Sequence, residues 1–143
     1  MYYFAYGSNM NHKQMKQRCP NSKFIKKVFL EGYKFIYDGY SSTRQDSVAN
    51  IIKSNKDIIW GGLFEINEDD LSALDCYEGY PKYYDRKGLT VSDETENKYK
   101  AIVYLRTGKQ QGKPSKEYFN LVIQGAKDCG LPEDYIKRNL LCD

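Results

Sequence analysis

The 143-residue sequence contains a single histidine, His12, and four cysteines that lie far apart, at positions 19, 76, 129 and 142. Because structural zinc sites need four Cys and His ligands at close spacing, we expect no bound metal. A Ser-His-Asp triad is also hard to assemble around one histidine, for which we expect a surface position. The lack of closely spaced cysteines favours reduced thiols in a cytoplasmic protein.

Long apolar runs are missing as well. No stretch approaches the roughly 20 residues of a transmembrane helix, and the first ten residues lack the charged start and cleavage site of a signal peptide. We therefore expect no membrane partner. The net charge of +3 is too small to indicate a nucleic-acid partner. A single-strand binder that stacks bases on tyrosines stays as a weak alternative, since residues 1–37 hold seven basic side chains and one acidic one.

Tyrosine, in contrast, is abundant: the chain has 14 tyrosines, six phenylalanines and one tryptophan. A tyrosine combines an apolar ring with a polar hydroxyl, so this composition suits a core that opens onto a polar pocket. The hydrophobic fraction of 41% and the charged fraction of 29% are typical of an ordinary globular protein. With no internal repeat and no linker, residues 1–143 are expected to form a single domain.

Local patterns predict seven strands and four helices. The strands are expected at residues 2–6, 24–30, 33–38, 48–53, 58–66, 83–91 and 99–106. The helices are expected at residues 11–18, after Asn67, after Ser115 and after Pro132. This uneven order favours an α+β fold over repeating βαβ units.

Two features could carry chemistry, and the first is the segment Tyr6-Gly7-Ser8-Asn9. It lies where the first strand ends and a helix begins. Glycine permits backbone angles that aim successive N–H groups at one point, where an anion or a carbonyl oxygen would be favoured. An ordinary strand-to-helix turn is the alternative.

The second feature is Glu78. Leu71, Leu74 and Glu78 follow one another at helical spacing, which places the carboxylate on the leucine-bearing face in the last helical turn. Burial and the negative end of the helix dipole would both raise its pKa, as a general acid/base near neutrality requires. The alternative is a glutamate that reaches solvent from a frayed helix end.

Four segments, in order along the chain, resemble the gamma-glutamyl cyclotransferase-like family. They are YGSN at residues 6–9, IIWGGLF at 58–64, LDCYEG at 74–79 and GAKDCGLP at 125–132. The resemblance implies a small mixed, mostly antiparallel β-barrel flanked by helices. It also implies a cytoplasmic enzyme of glutathione metabolism that releases 5-oxoproline and a free amine from a small-molecule γ-glutamyl substrate, without a cofactor.

The resemblance assigns roles to seven residues. Glu78 would be the catalytic general acid/base. The substrate-binding residues would be Tyr6, Gly7, Ser8 and Asn9, the adjacent Met10, and Tyr118 on the late helix. The α-amine of the substrate would attack the γ-carbonyl, so that no seryl or cysteinyl nucleophile is needed.

At two places the sequence differs from the cyclotransferases proper, so the identity of the amine that the enzyme would release is open. Ser47 stands where cyclotransferases proper more often have glycine, and residues 78–86 resemble the broader branch of the family. Some members of that branch act on γ-glutamyl-lysine or on antibiotic-precursor amines. A non-catalytic binding module of the same fold is a further alternative, and a homodimer is left open.

Overall fold

A computed structural model describes residues 1–39, 47–107 and 111–141 of the chain; Cys142 lies outside the described residues. Five strands form a closed barrel in the order β1-β3-β2-β4-β5. They are β1 (Tyr2–Ala5), β2 (Lys23–Asp38), β3 (Val48–Glu65), β4 (Asp85–Ser92) and β5 (Lys98–Leu105). Among the described strands, only the closing pair, β1 with β5, is parallel. The predicted mixed, mostly antiparallel barrel is thus confirmed.

The prediction of seven strands was wrong, because four of them form two long strands. Residues 24–30 and 33–38 belong to β2, and residues 48–53 and 58–65 belong to β3. Between the pairs Glu31–Ile58 and Tyr33–Lys53 the register shifts, with Gly32 on one side and residues 54–57 on the other. Gly32 has a φ of 84°, so a glycine that looks like a turn in the sequence instead accommodates an irregularity within continuous pairing.

Four α-helices accompany the barrel, at the places that the sequence predicts. They are α1 (His12–Arg18), α2 (Glu68–Glu78), α3 (Lys116–Asp128) and the short α4 (Glu133–Tyr135), which continues into a π-helical turn, Ile136–Leu140. The side chains of Asn11, Asn67 and Ser115 cap the first three helices by accepting hydrogen bonds from backbone N–H groups. None of the described helices has the length and apolar character needed to cross a membrane.

The helices are seated on the barrel by close packing. Val122 and Ala126 of α3 are fully buried. A Cβ at Gly125 would collide with the backbone of Met10 and Asn11, so α3 lies directly against the turn that follows β1. This contact fixes the position of α3, and with it Tyr118, relative to residues 6–10.

His12 is not the surface residue that we expected. It is half-buried, and its ring centroid lies 4.7 Å from that of Phe24 and 5.9 Å from that of Phe64. Its Nε2 atom is 3.7 Å from Sγ of Cys129. Because burial raises the pKa of the Cys129 thiol well above its usual range, this pair does not form an activated nucleophile.

Candidate active site

A pocket of about 560 Å³ opens at one end of the barrel, between the turn after β1, the C-terminal end of α2 and the start of α3. Its lining is dominated by aromatic and polar side chains. The residues are Tyr3, Phe4, Tyr6, Gly7, Ser8, Asn9, Arg18, Val48, Ala49, Cys76, Tyr77, Glu78, Gly79, Tyr83, Tyr84, Tyr104, Arg106 and Tyr118. Six of the seven site residues proposed from the resemblance therefore lie around one cavity.

The carboxyl group of Glu78 is positioned by the end of α2. The helix stops at Gly79, which adopts the left-handed conformation with a φ of 66°. Burial raises the pKa of Glu78 from 4.5 to about 7, while the charge of Arg18 acts in the opposite direction. Within the described ranges, the carboxylate has no hydrogen bond and no ion pair. The carboxyl group can therefore accept or donate a proton near neutral pH, and no described residue competes for it through a hydrogen bond or an ion pair.

Four tyrosines surround this carboxyl group. Tyr3, Tyr6 and Tyr84 are buried, and Tyr118 is partly buried. Burial raises the pKa of each phenol above its ordinary value, and the nearby charge of Glu78 raises it further. All four hydroxyls thus stay protonated at neutral pH, and they serve as hydrogen-bonding groups.

The turn after β1 forms one wall of the pocket. Gly7 begins a 3₁₀ turn, Ser8–Met10, and its φ is −118°, outside the left-handed region. A Cβ at Gly7 would lie 2.7 Å from Cβ of Ala49 and 3.5 Å from Oη of Tyr118. The glycine is thus required by the close approach of the turn to β3 and α3, and not by a left-handed backbone.

Asn9 ties this turn to its surroundings. Its Nδ2 donates to the hydroxyl of Tyr3 at 3.0 Å. Its Oδ1 accepts from Nε2 of Gln14 at 3.0 Å and from Nη1 of Arg18 at 3.1 Å. The side chain is almost fully buried, so Asn9 holds the Arg18 guanidinium at the pocket.

A second, adjoining wall of the pocket is held by two tyrosines, which both bind a single residue of β3. The hydroxyl of Tyr84 donates to the carbonyl of Ala49 at 2.7 Å, and the N–H of Ala49 donates to the hydroxyl of Tyr118 at 3.0 Å. Ser115 caps α3 by accepting from the Tyr118 N–H, and this sets the start of the helix.

Met10 does not reach the pocket. Its side chain is fully buried in the core, and its carbonyl accepts a hydrogen bond from Sγ of Cys129. Met10 is the last residue of the 3₁₀ turn, and its backbone lies directly under Gly125 of α3. Its place is therefore beneath the pocket wall.

Sequence reasoning missed several pocket residues, above all Arg18 and Arg106. Arg18 ends α1, and nothing in the sequence separates it from Lys13 or Lys16 of the same helix. Arg106 follows β5, and its Nε lies 3.6 Å from the buried carboxylate of Asp38. Both reach the pocket only through tertiary packing.

Chemically, the arrangement suits proton transfer on a small polar substrate. One carboxyl group is poised near neutrality, and hydroxyl and guanidinium donors surround it. No group of three or more His, Cys, Asp or Glu side chains in the described part of the chain could hold a metal ion.

Comparison with known proteins places the chain among relatives of one kind. A model of the AIG2-like family matches residues 58–139. The gamma-glutamylcyclotransferase of Bos taurus is 31% identical over 95% of this chain and 75% of its own length, and that of Homo sapiens is 30% identical over 93% and 73%. A solved structure of a gamma-glutamyl cyclotransferase superposes with a TM-score of 0.89 at 28% identity, covering 96% of this chain and 85% of that one. The chain belongs to the AIG2-like family, and it is similar to the gamma-glutamylcyclotransferases along almost its whole length.

Proposed function

We propose that this protein is a gamma-glutamylcyclotransferase-type enzyme, which releases 5-oxoproline and a free amine or amino acid from a γ-glutamyl compound. The observation that carries the proposal is the state of Glu78: a carboxyl group in a tyrosine-lined pocket, with a pKa of about 7 and no hydrogen bond to any described residue. The named relatives support the same reaction class.

The proposed reaction moves two protons from the α-nitrogen to the leaving nitrogen and exchanges one C–N bond for another. The ionised Glu78 accepts a proton from the α-ammonium group of the substrate. The freed amine attacks the γ-carbonyl carbon and forms the new C–N bond of the five-membered ring. The bond to the leaving nitrogen breaks as that nitrogen receives the proton from Glu78. The ring nitrogen still carries one proton more than the lactam, and Glu78 passes this second proton to the released amine, which leaves as an ammonium ion. Because nucleophile and electrophile belong to one molecule, holding the substrate in a folded shape removes much of the entropic barrier.

The other pocket residues position the substrate in this proposal. Tyr118 accepts a hydrogen bond from Ala49, so its own proton can be donated to a carbonyl oxygen. Tyr6 donates to the carbonyl of Tyr104 at 2.6 Å, so it acts as a fixed wall. The turn at Gly7, Ser8 and Asn9 would bind the substrate carboxylate or the developing oxyanion.

The proposal also covers the setting of the enzyme. We propose that residues 1–143 form a single domain, which works without a cofactor in the cytoplasm and acts on substrates of glutathione metabolism. The identity of the leaving amine, with γ-glutamyl-lysine and antibiotic precursors among the options, is addressed by the substrate panel below.

The test is mass spectrometry of 5-oxoproline after incubation with a panel of γ-glutamyl amino acids and amines. We expect release by the wild type and a loss of about 10²–10⁴-fold in Glu78→Gln, the usual contribution of a general acid/base. Glu68→Gln, an exposed carboxylate at the other end of α2, is the matched control and should keep full activity. Wild-type rates in Glu78→Gln would refute the mechanism. Tight binding without turnover of any compound would favour a binding module.

A further inference from the structure

Arg18 is the basis of this inference. Its Nη1 donates to Oδ1 of Asn9 at 3.1 Å, and its guanidinium carbon lies 4.4 Å from the centre of the Tyr77 ring. One hydrogen bond and one stacking contact thus hold the group in place. A guanidinium has five N–H donors, so most of its donors remain for a ligand in the pocket that it lines.

Arg18 differs from the other described arginines in having no carboxylate partner. Arg86 pairs with Asp75, Arg106 with Asp38 and Arg138 with Asp134. For Arg18, no carboxylate of the described residues lies within 4 Å, and Glu78 acts on it only at longer range. A half-buried, immobilised guanidinium without a counter-ion is a site for an anionic ligand.

The position of Arg18 in the pocket indicates which part of a substrate it would meet. The inner end is lined by buried tyrosines, such as Tyr3 and Tyr6. Arg18 instead neighbours the outer rim, where Tyr77 is 58% exposed and Cys76 is also exposed. If the reacting carbonyl lies at Glu78 with the γ-glutamyl group inside, the leaving amine points outward, toward Arg18.

We propose that Arg18 is a specificity-determining residue, which binds a carboxylate of the leaving group and so selects γ-glutamyl amino acids over γ-glutamyl amines that lack a carboxylate. This inference rests on the proposed function. The planar guanidinium can bind a carboxylate through two parallel hydrogen bonds. Asn9 and Tyr77 orient it in advance, which lowers the entropy lost on binding.

The test compares γ-glutamyl-alanine with γ-glutamyl-ethylamine, which differ only in the carboxylate of the leaving group. The kcat/KM values are measured at pH 9, where Glu78 of the wild type is ionised, so that protonation of Glu78 does not limit the measured rates. We expect the wild type to prefer the alanine compound by about 10- to 100-fold, as hydrogen bonds to a charged group suggest. In Arg18→Gln the ratio of the two kcat/KM values should fall toward one, whatever effect the variant has on both substrates in common. Arg18→Lys should keep part of it.

Lys13→Gln is the matched control, since it removes an exposed positive charge from the same helix and should keep the wild-type preference. An equal loss for both substrates in Arg18→Gln, or a wild type without preference, would overturn the inference and leave the proposed function intact. If Arg18→Gln does not fold, the wild-type preference and the Arg18→Lys variant decide the matter.

A binding measurement, which needs no turnover, separates the role proposed for Arg18 from the proposed enzymatic function. Calorimetric binding of both compounds to Glu78→Gln, with and without Arg18→Lys, should show the same preference for the alanine compound, weakened by the lysine. If the wild type releases no 5-oxoproline but this preference is seen, the proposed function fails and the role of Arg18 stands. Equal binding of the two compounds would remove that role.

Discussion

The backbone N–H of Ala49 donates to the hydroxyl of Tyr118 at 3.0 Å. The carbonyl of the same residue accepts from Tyr84 at 2.7 Å. A single residue of β3 is therefore held by one tyrosine from α3 and by another from the segment before β4. Since Gly7 packs on the Cβ of Ala49, the two walls of the pocket meet at this residue.

Removal of the Tyr118 hydroxyl tests this connection. In Tyr118→Phe the buried N–H of Ala49 loses its acceptor, so the free energy of unfolding should fall by about 1–3 kcal/mol. The kcat/KM for 5-oxoproline release should fall as well, because the hydroxyl that we assign to substrate binding is gone. Denaturant unfolding and steady-state kinetics measure the two effects.

Tyr37→Phe is the control. Its buried hydroxyl donates to the carbonyl of Leu140, away from the pocket, so the loss of this hydroxyl should lower stability alone. Unchanged activity in Tyr118→Phe would remove this residue from the binding set.

The close approach of Gly7 predicts a clash and its rescue. In Gly7→Ala the new methyl group would lie 2.7 Å from Cβ of Ala49, and such overpacking costs about 1–3 kcal/mol. We expect lower stability and lower activity. The double variant Gly7→Ala/Ala49→Gly removes the opposing methyl group and should recover part of both. Thermal unfolding and 5-oxoproline release measure this, and equal defects in single and double variants would contradict the packing argument.

The titration of Glu78 predicts the pH dependence of activity. As general base it must be ionised, so kcat/KM should rise with pH through an apparent pKa of about 7. The charged and titratable groups that face it are Arg18 from α1, Tyr3 and Tyr6 from β1 and the following turn, Tyr84 before β4, and Tyr118 from α3. Among the described residues, Arg18 is the charged group that lowers the pKa of Glu78, so Arg18→Gln should move the rise to higher pH. An unshifted profile would show that the charge of Arg18 does not act on Glu78.

The same titration predicts a stability change of defined sign. The pKa of Glu78 is raised from 4.5 to about 7 on folding, so the folded state binds the proton more tightly than the unfolded state. The stabilisation is complete below pH 4.5 and is lost as the pH rises through 7. Glu78→Gln, which never ionises, should therefore have a higher free energy of unfolding than the wild type at pH 8.5, by up to about 3 kcal/mol, and should unfold at a higher temperature.

At pH 4 the same two proteins should be nearly equally stable. Thermal unfolding at both pH values measures the difference. Exposed Glu68, when replaced by glutamine, should show no gain at high pH. A wild type that is more stable than Glu78→Gln at pH 8.5 would show that burial of the ionised Glu78 does not destabilise the folded state.

Much of the local structure could be predicted because it depends on neighbours in sequence. Asn67 and Gly79 delimit α2 through a capping box and a left-handed cap, and both signals are visible in the sequence. The count of strands was wrong because Gly32 has the same local signature in a turn and in a strand irregularity. Only the pairing of β2 with β3 on both sides of Gly32 distinguishes the two.

For the site, the resemblance supplied Glu78, Tyr6, Gly7, Ser8, Asn9 and Tyr118, and the structure places all six around one pocket. Their roles stay predictions. The sequence could not show that Met10 turns inward, because that depends on the packing of Gly125 in α3 against the turn. It also could not separate Arg18 from the lysines of α1.

By itself, the sequence determined the helix ends, the fold class and the chemistry available: with much tyrosine, one histidine and no closely spaced cysteines, a carboxylate is the candidate for the acid/base. These properties follow from short-range backbone preferences and from composition. Only the tertiary structure decided that four tyrosine hydroxyls surround Glu78, and that Arg18 stands at the rim without a carboxylate partner among the described residues. A pKa and an ion pair depend on burial and on distances between atoms, and those arise only when distant segments pack together.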